Sequence, residues 1–301
     1  MNYSLFINYF KTLNCKILEN EPMFKHTSFK IGGPADLFAE VYSLESLKKI
    51  LTFLNKEKIK YFLIGNGSNL LVDDKGYRGI ILNLKGDFEK IKIENDILEC
   101  GAGAKLVSAC KLALSHSASG LEFAYGIPGS CGGAVFMNAG AYGGEMKDVV
   151  LKVVCVDKNG SLHSFSNKEC KFSYRNSIFK SQNFIITSIF IKLHKDNYEK
   201  IKTKMDDLML RRKTKQPLEY PSAGSFFKRP EKGYASALIE ECGLKGLQIG
   251  GAAISKKHSG FIVNLGGATF EDVKKLQLEV TTQVAKKTNI KLEPEVVEII
   301  S

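Results

Sequence analysis

A run of 22 residues without a charged side chain, Phe123 to Gly144, constrains the fold of this chain more than any other segment. The run contains seven glycines and one proline, a composition that disfavours a long helix, although the length would suffice to cross a bilayer. If the segment is buried, its many backbone N–H groups need hydrogen-bond partners. We therefore expect buried backbone wrapped around a ligand, and the competing interpretation is an elaborate internal turn.

A second glycine-rich loop, residues 65–70 (GNGSNL), directly follows an apolar run at 61–64 that predicts a strand. Glycines let the backbone approach a ligand closely, and successive N–H groups can bind an anion. Leu70 stands where a dinucleotide fingerprint has its third glycine, and the lysine of a P-loop is absent. The two loops together predict one large anionic cofactor held mainly by main chain. For residues 65–70 taken alone, a tight strand-to-loop turn is the alternative.

The composition of the 301-residue chain is that of an ordinary globular protein, with a net charge of +11. Because the basic residues are dispersed, anionic small molecules explain the excess as well as nucleic acid does. Seven scattered cysteines without a C-x-x-C motif argue against a zinc ribbon and a disulfide framework. The five histidines show no metal-ligand spacing, so we expect no metal site. The beginning of the sequence lacks the pattern of a signal peptide, and we expect a reducing cytoplasm.

Apolar periodicity predicts a mixture of helices and strands, with one long loop at 217–230. Predicted helices cover residues 44–54 after Ser43 as N-cap, 106–118, 198–212 and 235–242, with a final helix that begins after Thr269. Predicted strands cover residues 80–84, 149–156, 161–165, 184–193, 260–264 and 296–300. The alternation in the first third is α/β in character, and the rest is α+β. The charged segment near residue 195 marks the best domain boundary.

Three polar groups are candidates for catalysis. Arg175 follows an aromatic run, where its guanidinium could clamp a carboxylate, although an ordinary surface ion pair is the alternative. Ser225 stands between a glycine and two aromatic residues, and we expect its hydroxyl to be desolvated and able to donate a proton. A turn residue is the other interpretation. Glu293 and Glu295 precede the last strand, where either could simply be solvated.

Six motifs, in the same order over nearly the whole chain, resemble those of the UDP-N-acetylenolpyruvoylglucosamine reductase family, flavoproteins of peptidoglycan synthesis. The motifs occupy residues 26–36, 65–72, 126–143, 174–175, 223–230 and 293–295. The resemblance implies an α+β fold similar to that of vanillyl-alcohol oxidase: two FAD-binding subdomains, 1–85 and 86–195, and a C-terminal substrate domain, 196–301. Between Arg175 and Lys215 the chain is short, as in the subclass without a tyrosine-bearing insertion.

The same resemblance implies an NADPH-dependent flavoenzyme of the cytoplasm with noncovalent FAD. NADPH reduces the flavin, and flavin N5 then delivers hydride to UDP-N-acetylglucosamine enolpyruvate, giving UDP-N-acetylmuramate. Arg175 is expected to stabilise the enolate charge, Glu295 to polarise the substrate carboxylate, and Ser225 to donate the proton. No nucleic acid, membrane or metal is implied, and we expect a monomer.

The family pattern also assigns the binding residues. Those expected to contact FAD are Gly65, Asn66, Gly67, Ser68, Asn69, Gly126, Ile127, Pro128, Gly129, Ser130, Gly132, Gly133, Ala134, Asn138, Ala139 and Gly140. Those expected to contact the substrate are Tyr174, Lys215, Arg229 and His258. The longer subclass has asparagine at position 229. His258 lies in a basic cluster at 256–258 that could face phosphate, and a surface cluster is the alternative.

Two other functions were weighed. Another flavin oxidase or dehydrogenase of the same fold would lack the combination of Ser225 and Glu295. A basic protein that binds nucleic acid without catalysis predicts salt-sensitive binding and no flavin, and it leaves the glycine loops unexplained.

Overall fold

A computed structural model describes residues 3–300 of the protein. Helices account for much of this range. Within this range the α-helices are α1 (Ser4–Thr12), α2 (Leu44–Lys56), α3 (Leu106–Ser115), α4 (Cys131–Phe136), α5 (Ile178–Ser181), α6 (Tyr198–Lys215), α7 (Ala235–Glu241) and α8 (Phe270–Thr288). Single 3₁₀ turns cover Met23–Lys25, Gly86–Glu89, Glu122–Ala124 and Met146–Asp148.

The strands are distributed along the whole described chain. They are β1 (Lys16–Pro22), β2 (Pro34–Val41), β3 (Tyr61–Ile64), β4 (Leu70–Val72), β5 (Tyr77–Leu84), β6 (Ile91–Glu94), β7 (Ile97–Gly101), β8 (Ala118–Ser119), β9 (Gly140–Ala141), β10 (Gly144–Glu145), β11 (Val150–Val156), β12 (Leu162–Ser166), β13 (Ile185–Lys192), β14 (His194–Lys195), β15 (Ser222–Ser225), β16 (Gln248–Ile249), β17 (Ala252–Ile254), β18 (Phe261–Asn264) and β19 (Val297–Ile299). This mixture confirms the predicted α+β class.

The first of two compact units comprises residues 3–19, 37–66 and 79–210. In it β5 lies between β2 and β3, and the β3–β5 pair is parallel. A five-stranded antiparallel sheet has the order β12-β11-β13-β7-β6. One apolar core joins the inner faces of these sheets to the buried faces of α2, α3 and α4.

The second unit comprises residues 20–36, 67–78 and 211–300. Its antiparallel sheet has the order β15-β18-β17-β16, and β4 pairs with β19 in parallel. Helix α8 buries one side in a core of its own, because Val273, Leu276, Val280 and Val284 are completely inaccessible to solvent. The boundaries predicted at 85/86 and 195/196 stay predictions about separately folding domains.

Local signals fix the two best-predicted helices. The Ser43 hydroxyl accepts a hydrogen bond from the N–H of Ser46 at the start of α2. Thr269 and Asp272 form a reciprocal capping box at the start of α8, each side chain accepting from the other residue's N–H at 3.0 Å. Both caps satisfy N–H groups that a helix leaves unpaired.

Several elements lie where the sequence predicted none, and two of them belong to the segments of the candidate site. Strand β15 occupies part of the expected loop at 217–230, because its partner β18 lies about 40 residues further along the chain and gives no local signal. Helix α4 forms inside the glycine-rich run. It has six residues, and burial of Cys131, Ala134 and Val135 outweighs the poor helix propensity of its glycines.

Candidate active site

The two glycine-rich loops touch each other in the first unit. The buried Asn83 side chain donates hydrogen bonds to the carbonyls of Ile64 and Gly65 and thereby fixes the end of β3. A Cβ atom at Gly65 would overlap the hydroxyl oxygen of Ser130. Position 65 must therefore be glycine for the loops to approach this closely.

The longer loop, residues 126–143, is attached to the core by backbone hydrogen bonds with residues 102–106. The N–H groups of Cys131 and Gly132 donate to the carbonyls of Ala104 and Ala102, at 2.8 and 2.9 Å. The buried hydroxyl of Ser130 accepts from the N–H of Gly133 at 3.2 Å. These bonds fix the loop on the core without using long side chains.

The same loops expose backbone on their outer side, where Gly65, Asn66, Pro128 and Gly133 are all open to solvent. Small residues above a fixed backbone leave room for a ligand to lie directly against the main chain. These residues therefore fit the large, anionic cofactor that the sequence predicts.

Arg175 occupies a tight turn in the same unit. The backbones of Ser173 and Asn176 are joined by two hydrogen bonds of 3.1 Å, which leaves Tyr174 and Arg175 at the tip. Arg175 has a φ of 52°, in the left-handed region that residues other than glycine seldom adopt. Its guanidinium lies 5.1 Å from the centre of the Tyr174 ring and donates to the Gly140 carbonyl at 3.5 Å. Such backbone strain is concentrated at functional sites.

Asn138 ties this turn to the glycine-rich loop. Its completely buried amide donates to the Ser173 carbonyl at 3.0 Å and to the Glu145 carboxylate at 2.9 Å. Its oxygen accepts from the N–H of Lys147 at 2.9 Å. The side chain thus forms its hydrogen bonds within the protein, and the predicted cofactor contact of Asn138 stays a prediction.

Glu145 is a charged neighbour of Arg175 that the sequence analysis missed. The ammonium group of Lys147, 2.9 Å away, lowers the pKa of Glu145, and the Asn138 amide and the Arg175 charge act in the same direction. Burial opposes this shift. Glu145 is therefore ionised at neutral pH. No motif marks it in the sequence, because it merely ends the charge-free run.

In the second unit, the segment after Ser225 pairs with the segment that contains Glu295. The Glu295 N–H donates to the Phe226 carbonyl and the Lys228 N–H donates to the Glu293 carbonyl, both at 2.8 Å. Two of the predicted catalytic residues are thus brought to neighbouring extended segments. The expectation that the Ser225 hydroxyl is desolvated is wrong, because Phe226 and Phe227 occupy the core positions and Ser225 is exposed.

The two carboxylates near the end of the chain have different surroundings. Glu293 is exposed and forms an ion pair of 2.9 Å with Lys228, whose hydrogen bond lowers the pKa of Glu293. Glu295 is half-buried, and its main-chain carbonyl accepts from the side-chain amide of Asn69 at 3.2 Å. Asn69 belongs to the shorter glycine-rich loop, so in this unit the end of that loop contacts the segment of Glu295.

The predicted substrate-binding residues of the second unit are polar and accessible to different degrees. Lys215 is exposed at the end of α6, where the Lys257 ammonium donates to the Lys213 carbonyl at 2.8 Å. The Arg229 guanidinium lies 4.4 Å from the centre of the Tyr234 ring. His258 is half-buried, and burial lowers its pKa. It is therefore a neutral imidazole at neutral pH, and its predicted contact with the substrate stays a prediction.

Comparisons with known proteins identify the family. Residues 216–299 match the model of the UDP-N-acetylenolpyruvoylglucosamine reductase C-terminal domain, and residues 35–166 match that of an FAD binding domain. The chain is 51% identical over 281 residues to UDP-N-acetylenolpyruvoylglucosamine reductase of Caldanaerobacter subterraneus subsp. tengcongensis, covering 93% of each protein. The chain belongs to the UDP-N-acetylenolpyruvoylglucosamine reductase family. It is also 47% identical to the reductase of Clostridium botulinum strain Hall over 298 residues, covering 98% of this chain and 96% of that relative.

The fold of this reductase family member agrees with a solved relative. The crystal structure of UDP-N-acetylenolpyruvylglucosamine reductase from Thermus caldophilus superposes with a TM-score of 0.81 at 36% identity. The match covers 94% of this chain and 98% of that one. The chain is therefore an oxidoreductase with an FAD-binding domain, as the six motifs predicted. The matched FAD-binding range includes both glycine-rich loops, and the C-terminal range includes Ser225 and Glu295.

Residues 3–300 also lack two further features. No helix in that range combines the length and the apolar character needed to cross a membrane. The same range contains no group of three or more histidine, cysteine, aspartate or glutamate side chains placed to hold a metal ion.

Proposed function

We propose that this chain reduces UDP-N-acetylglucosamine enolpyruvate to UDP-N-acetylmuramate, with NADPH as the source of electrons. The observation that carries the proposal is the pairing of residues 226–228 with residues 293–295, which sets Ser225 and Glu295 on adjacent segments. A proton donor and a carboxyl group close in the fold are what reduction of an enol ether beside a carboxylate requires.

The glycine-rich loops would hold the cofactor. When bound, FAD supplies the redox chemistry, taking hydride from NADPH and passing it to the methylene carbon of the enolpyruvyl group. The exposed main chain of residues 65–66 would bind the cofactor phosphates through N–H groups, and the longer loop would contact the cofactor at its exposed positions Pro128 and Gly133. The main-chain hydrogen bonds from residues 131–132 to residues 104 and 102 attach this part of the loop to the core.

Arg175 is proposed to stabilise the negative charge that develops on the substrate carboxylate. Hydride addition at the methylene carbon places an electron pair on the adjacent carbon, which is delocalised into the carboxylate as an enolate. A guanidinium can bind both carboxylate oxygens, and a fixed group loses little energy in reorganisation during the reaction. The strained turn and the Asn138 bonds keep Arg175 in such a fixed position.

Ser225 is proposed to deliver the proton to the carbon next to the carboxylate. Its exposed hydroxyl is accessible to substrate and can regain a proton from water after each turnover. Serine is a weak acid, so the transfer depends on the carbanionic character of the enolate. Glu295, half-buried on the adjacent segment, would polarise the same carboxylate through a shared proton.

Cationic side chains of the second unit are proposed to bind the diphosphate of the substrate. Lys215 and Arg229 are both exposed, and the exposed Tyr174 is the proposed aromatic contact of the substrate. The pyrophosphate groups of FAD and of the substrate, together with the substrate carboxylate, explain the net charge of +11 without nucleic acid. We also propose a monomer that acts in the cytoplasm, where nucleotide-sugar precursors and NADPH are present.

The reaction product tests this function. The FAD-loaded protein is incubated with UDP-N-acetylglucosamine enolpyruvate and either NADPH or NADH, and the nucleotide sugar is analysed by mass spectrometry. We expect a product heavier by two hydrogen atoms, formed faster with NADPH. NADPH oxidation without this product would contradict the substrate. Absence of flavin together with salt-sensitive DNA or RNA binding would favour the nucleic-acid alternative.

A further inference from the structure

The turn before β18 is organised around an imidazole that accepts a hydrogen bond. Nδ1 of His258 lies 3.1 Å from the backbone nitrogen of Gly260, whose N–H points at it. A backbone N–H can act only as a donor, so Nδ1 must be the unprotonated nitrogen of the ring. The neutral imidazole then carries its hydrogen on Nε2.

Packing holds the imidazole in this position. A Cβ atom at position 260 would lie 3.0 Å from Cε1 of the His258 ring, a tight contact that would push the ring away by a few tenths of an ångström. The ring packs edge-on against Phe261, with 5.0 Å between the ring centres. In the same turn, the buried Ser255 hydroxyl accepts hydrogen bonds from the N–H groups of Lys257 and His258 at 3.1 and 3.3 Å.

The same turn leads directly to the proposed proton donor. The Gly260 carbonyl accepts a hydrogen bond of 2.8 Å from the N–H of Phe226, the residue after Ser225. Ser225 itself is opposite Phe261 in the β15–β18 pair. The N–H of Gly260 is thus fixed by His258, and the carbonyl of Gly260 in turn fixes the backbone next to Ser225.

We propose that His258 is a positioning residue for Ser225, in which Nδ1 holds the Gly260 backbone in place and the ring carries no positive charge. This inference rests on the proposed function, because Ser225 matters only if it donates the proton. It differs from a substrate contact, because a phosphate would be bound by the Nε2–H donor or by a cation, whereas this role uses Nδ1 as an acceptor.

The charged surroundings of His258 agree with a neutral ring. Burial is the strongest influence on its pKa and lowers it, a hydrogen bond with the residue's own backbone raises it, and the Lys245 ammonium group lowers it. The Glu240 carboxylate raises the pKa, but Glu240 is itself paired with Lys245 at 2.8 Å and accepts from the Ser259 hydroxyl at 3.3 Å. Lys256 and Lys257, next in the chain, are exposed.

Three substitutions separate an acceptor from a cation at position 258. In His258→Asn the amide oxygen can accept from the N–H two residues later, as asparagine does in turns. His258→Lys introduces a cation but has no acceptor, and His258→Ala has neither. We expect flavin reoxidation by substrate in His258→Asn within about 3-fold of the parent, and about 10-fold slower in the other two variants, the effect of one lost hydrogen bond.

Flavin reduction by NADPH should be the same in all three variants. Rescue by lysine and failure of asparagine would overturn the proposal in favour of a cationic role. Equal rates in all variants would also overturn it. If the parent protein's reduced flavin is not reoxidised by UDP-N-acetylglucosamine enolpyruvate at all, the proposed function fails instead.

The pH dependence gives a second readout that needs no unstable variant. Protonation of Nδ1 replaces the acceptor with a donor that faces the Gly260 N–H, so the parent reoxidation rate should fall on the acid side. The ordinary histidine pKa is about 6.5, and the lowered value in the folded protein places this fall below pH 6.5. His258→Asn should lack this acid limb. An equal fall of the reoxidation rate at acid pH in the parent protein and in His258→Asn would overturn the proposal.

Discussion

Ser225 and Arg175 occupy opposite kinds of local environment. Ser225 is an exposed residue at the end of β15, supported by buried neighbours on its C-terminal side. Arg175 is half-buried at the tip of a strained two-residue turn. A proton donor that must be resupplied by solvent benefits from exposure, and a charge-stabilising group benefits from being fixed.

Replacement of Ser225 by alanine should separate the two half-reactions. We expect Ser225→Ala to keep flavin reduction by NADPH and to slow flavin reoxidation by substrate by about 10² to 10⁴-fold, the usual contribution of general acid catalysis. Anaerobic stopped-flow absorbance of the flavin measures both steps. Ser115→Ala is the matched control, because Ser115 is an exposed serine at the end of α3 whose hydroxyl donates to the Leu112 carbonyl. Equal slowing of both half-reactions would contradict the role of Ser225.

At the scale of elements, the parts predicted from sequence are those with local signals. Helices α2 and α8 have capping side chains and regular apolar spacing, so both were predicted with their N-caps Ser43 and Thr269. Strand β15 and the turn at Arg175 were not predicted. Their stability depends on β18 and on Asn138, partners that a reading of local sequence does not reveal.

The candidate site shows the same division. The glycine-rich loops were recognised from composition, and the structure shows in addition that they touch at Gly65 and Ser130. The positions of Ser225 and Glu295 in the sequence were predicted from the family motifs, but the hydrogen bonds that join their segments depend on a fold that brings residues 226 and 295 together. The exposure of Ser225 was predicted wrongly, because it follows from the packing of Phe226 and Phe227, and the neutral state of His258 likewise depends on burial that the local sequence does not reveal.

Asn138 should be important for the stability of the Arg175 turn. Alanine at this position leaves the Ser173 carbonyl and the Lys147 N–H without their partner. We expect Asn138→Ala to lower the free energy of unfolding by about 1–3 kcal/mol, because buried polar groups lose their hydrogen bonds. Urea unfolding followed by circular dichroism measures the change.

A surface asparagine provides the comparison for Asn138. Asn55 is exposed on α2 and donates to the Asn159 side chain, so Asn55→Ala should change the free energy of unfolding by less than about 0.5 kcal/mol. If the two variants were equally stable, the assignment of Asn138 as the anchor of the turn would be wrong.

At the scale of the whole molecule, two separate apolar cores stabilise the two units. All seven cysteines are free thiols, and six of them are buried. Burial raises the pKa of Cys15 to about 11 and the pKa values of Cys110, Cys155 and Cys170 to about 12. Because the thiolate is the reactive form, these buried thiols should be inert while the cores are intact.

The reactivity of the thiols therefore reports on the cores. In the native protein at neutral pH, a disulfide reagent such as DTNB should modify Cys242, which is half-buried, well before the buried cysteines. In denaturant all seven should react. Peptide mapping after a short exposure identifies the modified position. Fast modification of Cys110 or Cys155 in the native protein would contradict the packing of the first core.

The most direct test of the account is the visible absorption spectrum of the purified protein, recorded anaerobically after incubation with FAD. We predict an oxidised-flavin spectrum that bleaches on addition of NADPH and recovers when UDP-N-acetylglucosamine enolpyruvate is added. Bleaching without recovery would contradict the proposed substrate. A protein that binds no flavin would contradict the assignment of the glycine-rich loops at residues 65–70 and 126–143, and with it the proposed reaction.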